Sequence, residues 1–174
     1  GRDFKIYSYD ADGSLHEVAK GGNGIERVEN NTAGRLNKGL TEFAIKAIVS
    51  GKINGTDVKH LRSLLTDGNL QSIDLSQATV SGGGTPYYTS GTTSYNTSTN
   101  NLGEYAFHTF KKLSSIQLPQ GLVKIGSNAF SRSCVVRATI ISLTAKILFG
   151  LKNICSVRQR PIPSAPNLTA TSVS

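Results

Sequence analysis

A six-residue box occurs twice in this chain, 23 residues apart: Leu102-Gly103-Glu104-Tyr105-Ala106-Phe107 returns as Ile125-Gly126-Ser127-Asn128-Ala129-Phe130. Between the copies lies Leu113-x-x-Ile116-x-Leu118-Pro119, followed by Leu122. A fixed period of roughly 20–30 residues with apolar residues at set positions marks a stacked-repeat protein. One such unit cannot bury its apolar residues alone, so it stacks on the next and the core becomes continuous along the stack. The box also assigns local structure. Ile116 and Leu118 alternate with polar residues, as in a half-buried strand, and Pro119 ends that strand because it has no N–H for a ladder. Gly103 and Gly126 fit turns that need positive φ or close backbone approach. Phe107 and Phe130 are predicted to stack as core aromatics rather than to form a ligand cage.

The pattern (I/L)-G-x-x-A-F, then L-x-x-I-x-L-P, then (I/L)-G-x-x-A-F, carried by Leu102–Phe130, resembles the BspA-like leucine-rich repeats of bacterial cell-surface proteins. The resemblance implies an α/β fold: a short, right-handed leucine-rich-repeat solenoid, with short strands on one face and turns or short helices on the other. It also implies an N-terminal capping helix. The segment Ser50–Leu65, SGKINGTDVKHLRSLL, is similar to the N-terminal cap of that family.

Three regions follow, with 1–32 an N-terminal hairpin and lead-in, 33–160 the repeat solenoid, and 161–174 an irregular tail marked by Pro161, Pro163 and Pro166. In the lead-in, Phe4, Ile6 and Ser8 alternate with Lys5, Tyr7 and Tyr9, and Asp10-Ala11-Asp12-Gly13 is turn chemistry. The Asp10/Asp12 pair lacks the later ligands of a calcium loop. Ile45, Ala47 and Val49 alternate as a strand closed by Ser50-Gly51. A helix is predicted over 56–66, with Thr56 as N-cap, Val58, Leu61 and Leu65 on one face, and Gly68 as a left-handed stop.

Leu70-x-x-Ile73-x-Leu75 repeats the strand motif 43 residues before Leu113, so one repeat carries an insertion of about twenty residues. That insertion, 76–101, has no charged residue and holds Tyr87, Tyr88 and Tyr95 among Gly, Ser, Thr and Asn. It is predicted to be a long loop without secondary structure of its own. Tyr with Ser, Gly and Asn is also the composition of adaptable binding loops. After Phe130 the period places Val136 for Leu113, Thr139 for Ile116 and Ile141 for Leu118, without a Pro or a restored box. This reads as a degenerate last turn and tail, or as a coding or cloning irregularity.

The net charge of +8 lies entirely in the C-terminal part. Residues 1–101 hold ten basic and ten acidic residues, whereas 102–174 hold nine basic residues and only Glu104. This is either a solvated basic surface or a contact to an anionic partner such as glycosaminoglycan, lipopolysaccharide or nucleic acid. No nucleic-acid recognition motif accompanies it. Cys134 and Cys155 make neither a disulfide framework nor a zinc site; one disulfide between them and two small buried thiols both remain open. There is no run of about 18 apolar residues for a membrane span. Gly1-Arg2-Asp3 is not a translation start and Met is absent, which reads as a trimmed form whose signal peptide has been removed.

Catalysis is not indicated. No metalloprotease, hydrolase, P-loop or dinucleotide motif is present. His16, His60 and His108 lie in different elements, with His108 expected on an exposed turn. No cofactor and no metal are expected. The resemblance implies a secreted, cell-surface module that binds an extracellular protein or glycan, adhesin-like. The other reading is a structural stalk with no ligand of its own. The residues taken to contact a macromolecule are Tyr87, Tyr88, Tyr95, Lys111, Lys112, Arg132 and Arg137. Self-association through the solenoid ends is a further expectation.

Overall fold

Parallel strand pairing at successive repeats is what the box and its period require, and it is what the computed structural model contains. The structure describes residues 4–9, 15–21, 24–134 and 137–140. Strands β1 (Phe4–Tyr9) and β2 (Leu15–Gly21) pair antiparallel; the turn expected over 10–13 lies outside the described residues. β3 (Ile25–Asn30) follows, then a 3-10 turn over Leu36–Lys38 and β4 (Lys46–Ile53). Helix α1 (Gly55–Thr66) crosses from β4 to β5 (Ser72–Val80). β6 (Gly83–Ser90) and β7 (Thr93–Thr97) come next, then β8 (Asn101–Leu102), β9 (Ser115–Leu118), β10 (Lys124–Ile125) and β11 (Arg137–Ile140).

Five of these strands make one sheet in the order β11-β9-β5-β4-β3, and every pair in it is parallel. Equivalent residues lie side by side: Ala47 beside Ile73, Ile73 beside Ile116, Ile116 beside Ala138. The box segments pair separately. Leu102 lies beside Ile125 in the parallel β8–β10 ladder. Beyond it the amides of Tyr105, Phe107 and Thr109 donate to the carbonyls of Ser127, Ala129 and Ser131 at 3.2, 2.6 and 2.8 Å. The box is therefore bonded to its own copy one repeat later, so each repeat satisfies the polar backbone of its neighbour.

The core runs continuously along this arrangement. Ala47, Val49, Ile73, Leu75, Ile116 and Leu118 are buried from the sheet, and Leu102, Phe107, Leu122, Ile125 and Phe130 from the turns. Phe107 and Phe130 stack with centroids 5.8 Å apart and planes inclined by 15°, a geometry worth about 0.5–1.5 kcal/mol beyond its buried area. Neither Gly103 nor Gly126 has positive φ. Their smallness serves close approach instead: a Cβ on Gly126 would strike the Gly103–Glu104 backbone, and one on Gly103 would strike the Asn96 carbonyl and the Tyr87 hydroxyl. The positive φ values fall on other repeated positions, Tyr105 and Asn128 at 57° each, and Thr109 and Arg132 at 67° and 58°.

Several expectations need correction. The parallel sheet begins at β3, inside the segment read as lead-in. Ile45 is exposed at 43%, and β4 does not close at Ser50-Gly51 but runs to Ile53; the ladder to β5 is irregular between Ile48 and Ser50, and Gly51, at φ of 84°, is back in register beside Ala78. The N-cap of α1 is Asn54, not Thr56. The Asn54 side chain accepts from the Thr56 amide at 3.0 Å, and Asp57 accepts from the Asn54 amide at 2.9 Å. Gly68 is not in the left-handed region; the helix ends on Asp67 at φ −100°. The 76–101 insertion is not a loop without structure: β5 extends to Val80, and β6 and β7 form an antiparallel hairpin. Finally, β11 sits one residue earlier than the period places it. Ala138 rather than Thr139 pairs with Ile116, and Ile140 rather than Ile141 with Leu118, so one residue is lost between Phe130 and the strand. Residues beyond Ile140, including Cys155 and the tail expected over 161–174, lie outside the described residues.

Candidate functional site

The hairpin β6–β7 is held against the N-terminus of α1 and against the first box. The amide of Thr85 donates to Thr56 Oγ1 at 2.8 Å. Gly55 opens the helix without a side chain, because a Cβ there would overlap Asn96 Oδ1 and the Thr85 carbonyl. Tyr87 is 5% exposed, and its hydroxyl donates to the Glu104 carbonyl at 2.7 Å. Burial holds the Tyr87 phenol well above its ordinary pKa. Of the three tyrosines read as binding residues, Tyr87 is thus an anchor of the hairpin and not part of its surface.

Tyr88 and Tyr95 are half-buried and enter a cluster with two residues of the box turn, Tyr105 and His108. Ring centroids are 5.8 Å apart for Tyr88–Tyr95, 5.6 Å for Tyr88–Tyr105, 5.0 Å for Tyr95–Tyr105, 4.4 Å for Tyr88–His108 and 5.3 Å for Tyr105–His108. Most of these are edge contacts, the arrangement that opposed ring quadrupoles favour. Arg62, from α1, completes the group. Its guanidinium carbon lies 5.2 Å from the Tyr88 ring centre and 4.8 Å from that of Phe110. Its Nη1 donates to the carbonyls of Tyr105 and Ala106 at 2.9 and 2.8 Å. Asn128, one repeat on, donates to the Tyr105 hydroxyl at 3.4 Å.

The electrostatics are graded across the cluster. Burial lowers the Arg62 pKa, with a small opposing effect from the two phenols of Tyr87 and Tyr88. His108 is pushed below the usual imidazole range, first by burial, then by the charges of Arg62 and Arg132; its Nδ1 donates to the Tyr105 carbonyl at 2.9 Å, which works the other way. Tyr95 is raised by desolvation and by the neighbouring Tyr105 and Glu104. The charges of Arg62 and Arg132 thus bear on His108, and that of Glu104 bears on Tyr87 and Tyr95.

Sequence reasoning found Tyr88 and Tyr95 but missed Arg62, Tyr105 and His108. Tyr105 was visible as the variable residue before Ala106 in the box. Arg62 flanks the apolar face of the helix, where nothing in the spacing separates it from a solvated arginine. His108 is half-buried rather than exposed on its turn. Of the basic residues proposed as contacts, Lys112 is occupied: its Nζ donates to the Thr66 and Gly68 carbonyls at 3.3 and 3.2 Å, at the negative end of α1. Lys111 is exposed, Arg132 is exposed in a left-handed turn near His108, and Arg137 lies on β11. These basic residues are thus distributed over separate elements. Cys134 is exposed, which excludes the buried-thiol reading for it.

Among the described residues no group of three or more His, Cys, Asp or Glu side chains is placed to hold a metal, and no helix is long and apolar enough to cross a membrane. A family model described as BspA type leucine rich repeat region (6 copies) matches residues 65–151. That span is half of the chain. The chain belongs to the BspA-type leucine-rich-repeat family. A search of curated proteins finds no match to it. BspA-type repeat domains are generally non-enzymatic modules of protein interaction, typically extracellular or surface-associated. The matched BspA-type region contains the hairpin, both boxes and β9 to β11, and it begins at Leu65 near the end of α1.

Proposed function

We propose that this chain is a non-catalytic, cell-surface interaction module of adhesin-like type, bacterial and exported, that binds an extracellular macromolecule. In this reading the parallel strands and box turns form a short solenoid capped at its N-terminal side by α1. The observation that supports it best is the cluster of Tyr88, Tyr95, Tyr105, His108 and Arg62, assembled at one place from helix, hairpin and repeat turn. Tyr and Arg are the residues that dominate binding hot spots, and here they are carried on ordered elements, so little ordering entropy opposes binding.

The test is binding of the purified chain to immobilised fibronectin, fibrinogen and heparin at low and at high salt. Binding to either protein that survives high salt, and that Tyr95→Ser abolishes, supports the reading. Binding lost steeply with salt assigns the contact to the basic residues of the C-terminal part. No binding to any of the three overturns it in favour of the stalk. One observation favours the stalk: the rings already partner one another, and Arg62 ties the helix to the turn, so the cluster also serves to dock the hairpin.

A further inference from the structure

Arg62 is half-buried, and its bonds among the described residues go to two backbone carbonyls through Nη1 alone. No carboxylate among those residues is bonded to it; the groups whose charges bear on it are tyrosines. Its Nε and Nη2 are not sealed off without partners, since the one polar side-chain atom buried in that way is Asn101 Oδ1. Among the described residues, the guanidinium thus presents a pair of donors without a partner, from within a ring of aromatic side chains. A planar fork of this kind matches a carboxylate. Partial removal from water strengthens the attraction and makes a missing counter-ion costly.

The surroundings limit what carries that carboxylate. The cluster is compact, with ring centroids 4.4–5.8 Å apart. The exposed residues of the two hairpin strands include Thr85, Thr89, Ser90, Thr93 and Ser94, which carry hydroxyls, together with Pro86. The large exposed apolar residues Phe43, Ile45 and Val123 belong to other elements. Aromatic rings, hydroxyl and amide neighbours and a guanidinium with no bonded carboxylate among the described residues fit a sugar ring bearing an acid group.

We propose that Arg62, Tyr88, Tyr95, Tyr105, His108 and Asn128 form a subsite for an acidic saccharide, with the carboxylate on the open side of Arg62 and the sugar ring against the tyrosines. This rests on the interaction-module reading and specifies its ligand class.

The test is ligand-observed saturation-transfer NMR on the full 174-residue chain. The probes are N-acetylneuraminic acid and glucuronic acid, with the methyl ester of glucuronic acid and N-acetylglucosamine as neutral counterparts. The expected result is binding of both acids and weakening of about tenfold or more for the neutral probes. Arg62→Lys, which keeps the charge but loses the fork, should weaken acid binding similarly. Tyr95→Ser, on the hairpin and free of the Arg62 bonds, provides a second variant if Arg62→Lys fails to fold, and it should also lower the affinity. Equal binding of acidic and neutral sugars overturns the inference, as does no saccharide binding at millimolar concentration. So does preference for a glutamate-rich hexapeptide over every sugar, which assigns the site to a protein. In each of these cases retained fibronectin or fibrinogen binding leaves the interaction-module reading intact.

Discussion

Removing the Asp57 carboxylate should cost about 4 kcal/mol of folding stability. Asp57 is 1% exposed. Its oxygens accept from the amides of Gly34 at 2.6 Å, Leu36 at 2.9 Å and Asn54 at 2.9 Å. One side chain thus caps the helix and fastens the 33–36 segment to it. In Asp57→Ala the Leu36 amide, in a fully buried residue, is left without a partner at about 1–3 kcal/mol. The Gly34 and Asn54 amides are half-buried and can reach water, so each loses about 0.5–1.5 kcal/mol. Loss of a negative charge at the helix N-terminus adds about 0.3–1 kcal/mol. Asp57→Asn keeps one acceptor oxygen and should cost about half as much. Against a total stability of about 5–15 kcal/mol this is a large fraction. Urea unfolding followed by circular dichroism measures the loss, and amide hydrogen exchange locates it. Leu36 and Gly34 should lose protection before the β9 amides do. Asp67→Ala, at the exposed C-terminal end of the same helix, is the control and should stay within about 0.5 kcal/mol of wild type. If Asp57→Ala falls within about 1 kcal/mol of wild type, the capping argument is wrong.

Other outcomes follow from the same structure. Gly55→Ala forces a Cβ into Asn96 and the Thr85 carbonyl; it should displace the hairpin, cost about 1–3 kcal/mol and reduce the near-ultraviolet tyrosine signal. Thr109 is β-branched at φ 67°, so Thr109→Asn, which tolerates the left-handed region, should raise the melting temperature by a few degrees, for a gain of about 0.5–1 kcal/mol. Phe130→Ala removes one member of the buried stack and should cost about 3–5 kcal/mol in urea unfolding. The lowered pKa of His108 has a definite sign. The unfolded chain binds this proton more readily than the folded one, so stability rises as pH rises through the interval between the folded pKa and about 6.5, and is lost as pH falls through it. His108→Gln should therefore lose less stability than wild type between pH 7 and pH 5, and an NMR titration of the ring should give a midpoint below the usual imidazole value.

The repeat itself was readable because its constraint is local and recurrent. Leu102 to Phe130 names both the strand and the box, and the structure pairs each position with its copy. The hairpin was not readable, because the physics that orders 76–101 is not in its composition. Thr, Ser and Gly signal a loop when taken alone, and the strands form because Tyr87 finds the Glu104 carbonyl and Gly55 leaves room for Asn96. β3 was missed for a related reason: three of the six residues of IERVEN are charged, Glu26, Arg27 and Glu29, and it reads as a strand only once β4 lies beside it. The site followed the same division. Tyr88 and Tyr95 stood out by composition, whereas Arg62 acquires meaning only from the Tyr105 and Ala106 carbonyls, more than forty residues away in sequence.

The parallel order β3-β4-β5-β9-β11 also has a mechanical consequence. A pull applied between Ile25 and Ile140 runs across the strands, along the direction of the bonds that join them. Such a load falls on one inter-strand seam at a time and peels it, instead of shearing all its rungs together. The molecule should yield in small steps at low force, one repeat per step, and take up length as a compliant tether. An atomic force trace with many short steps would match this behaviour, and a single high-force rupture would contradict it.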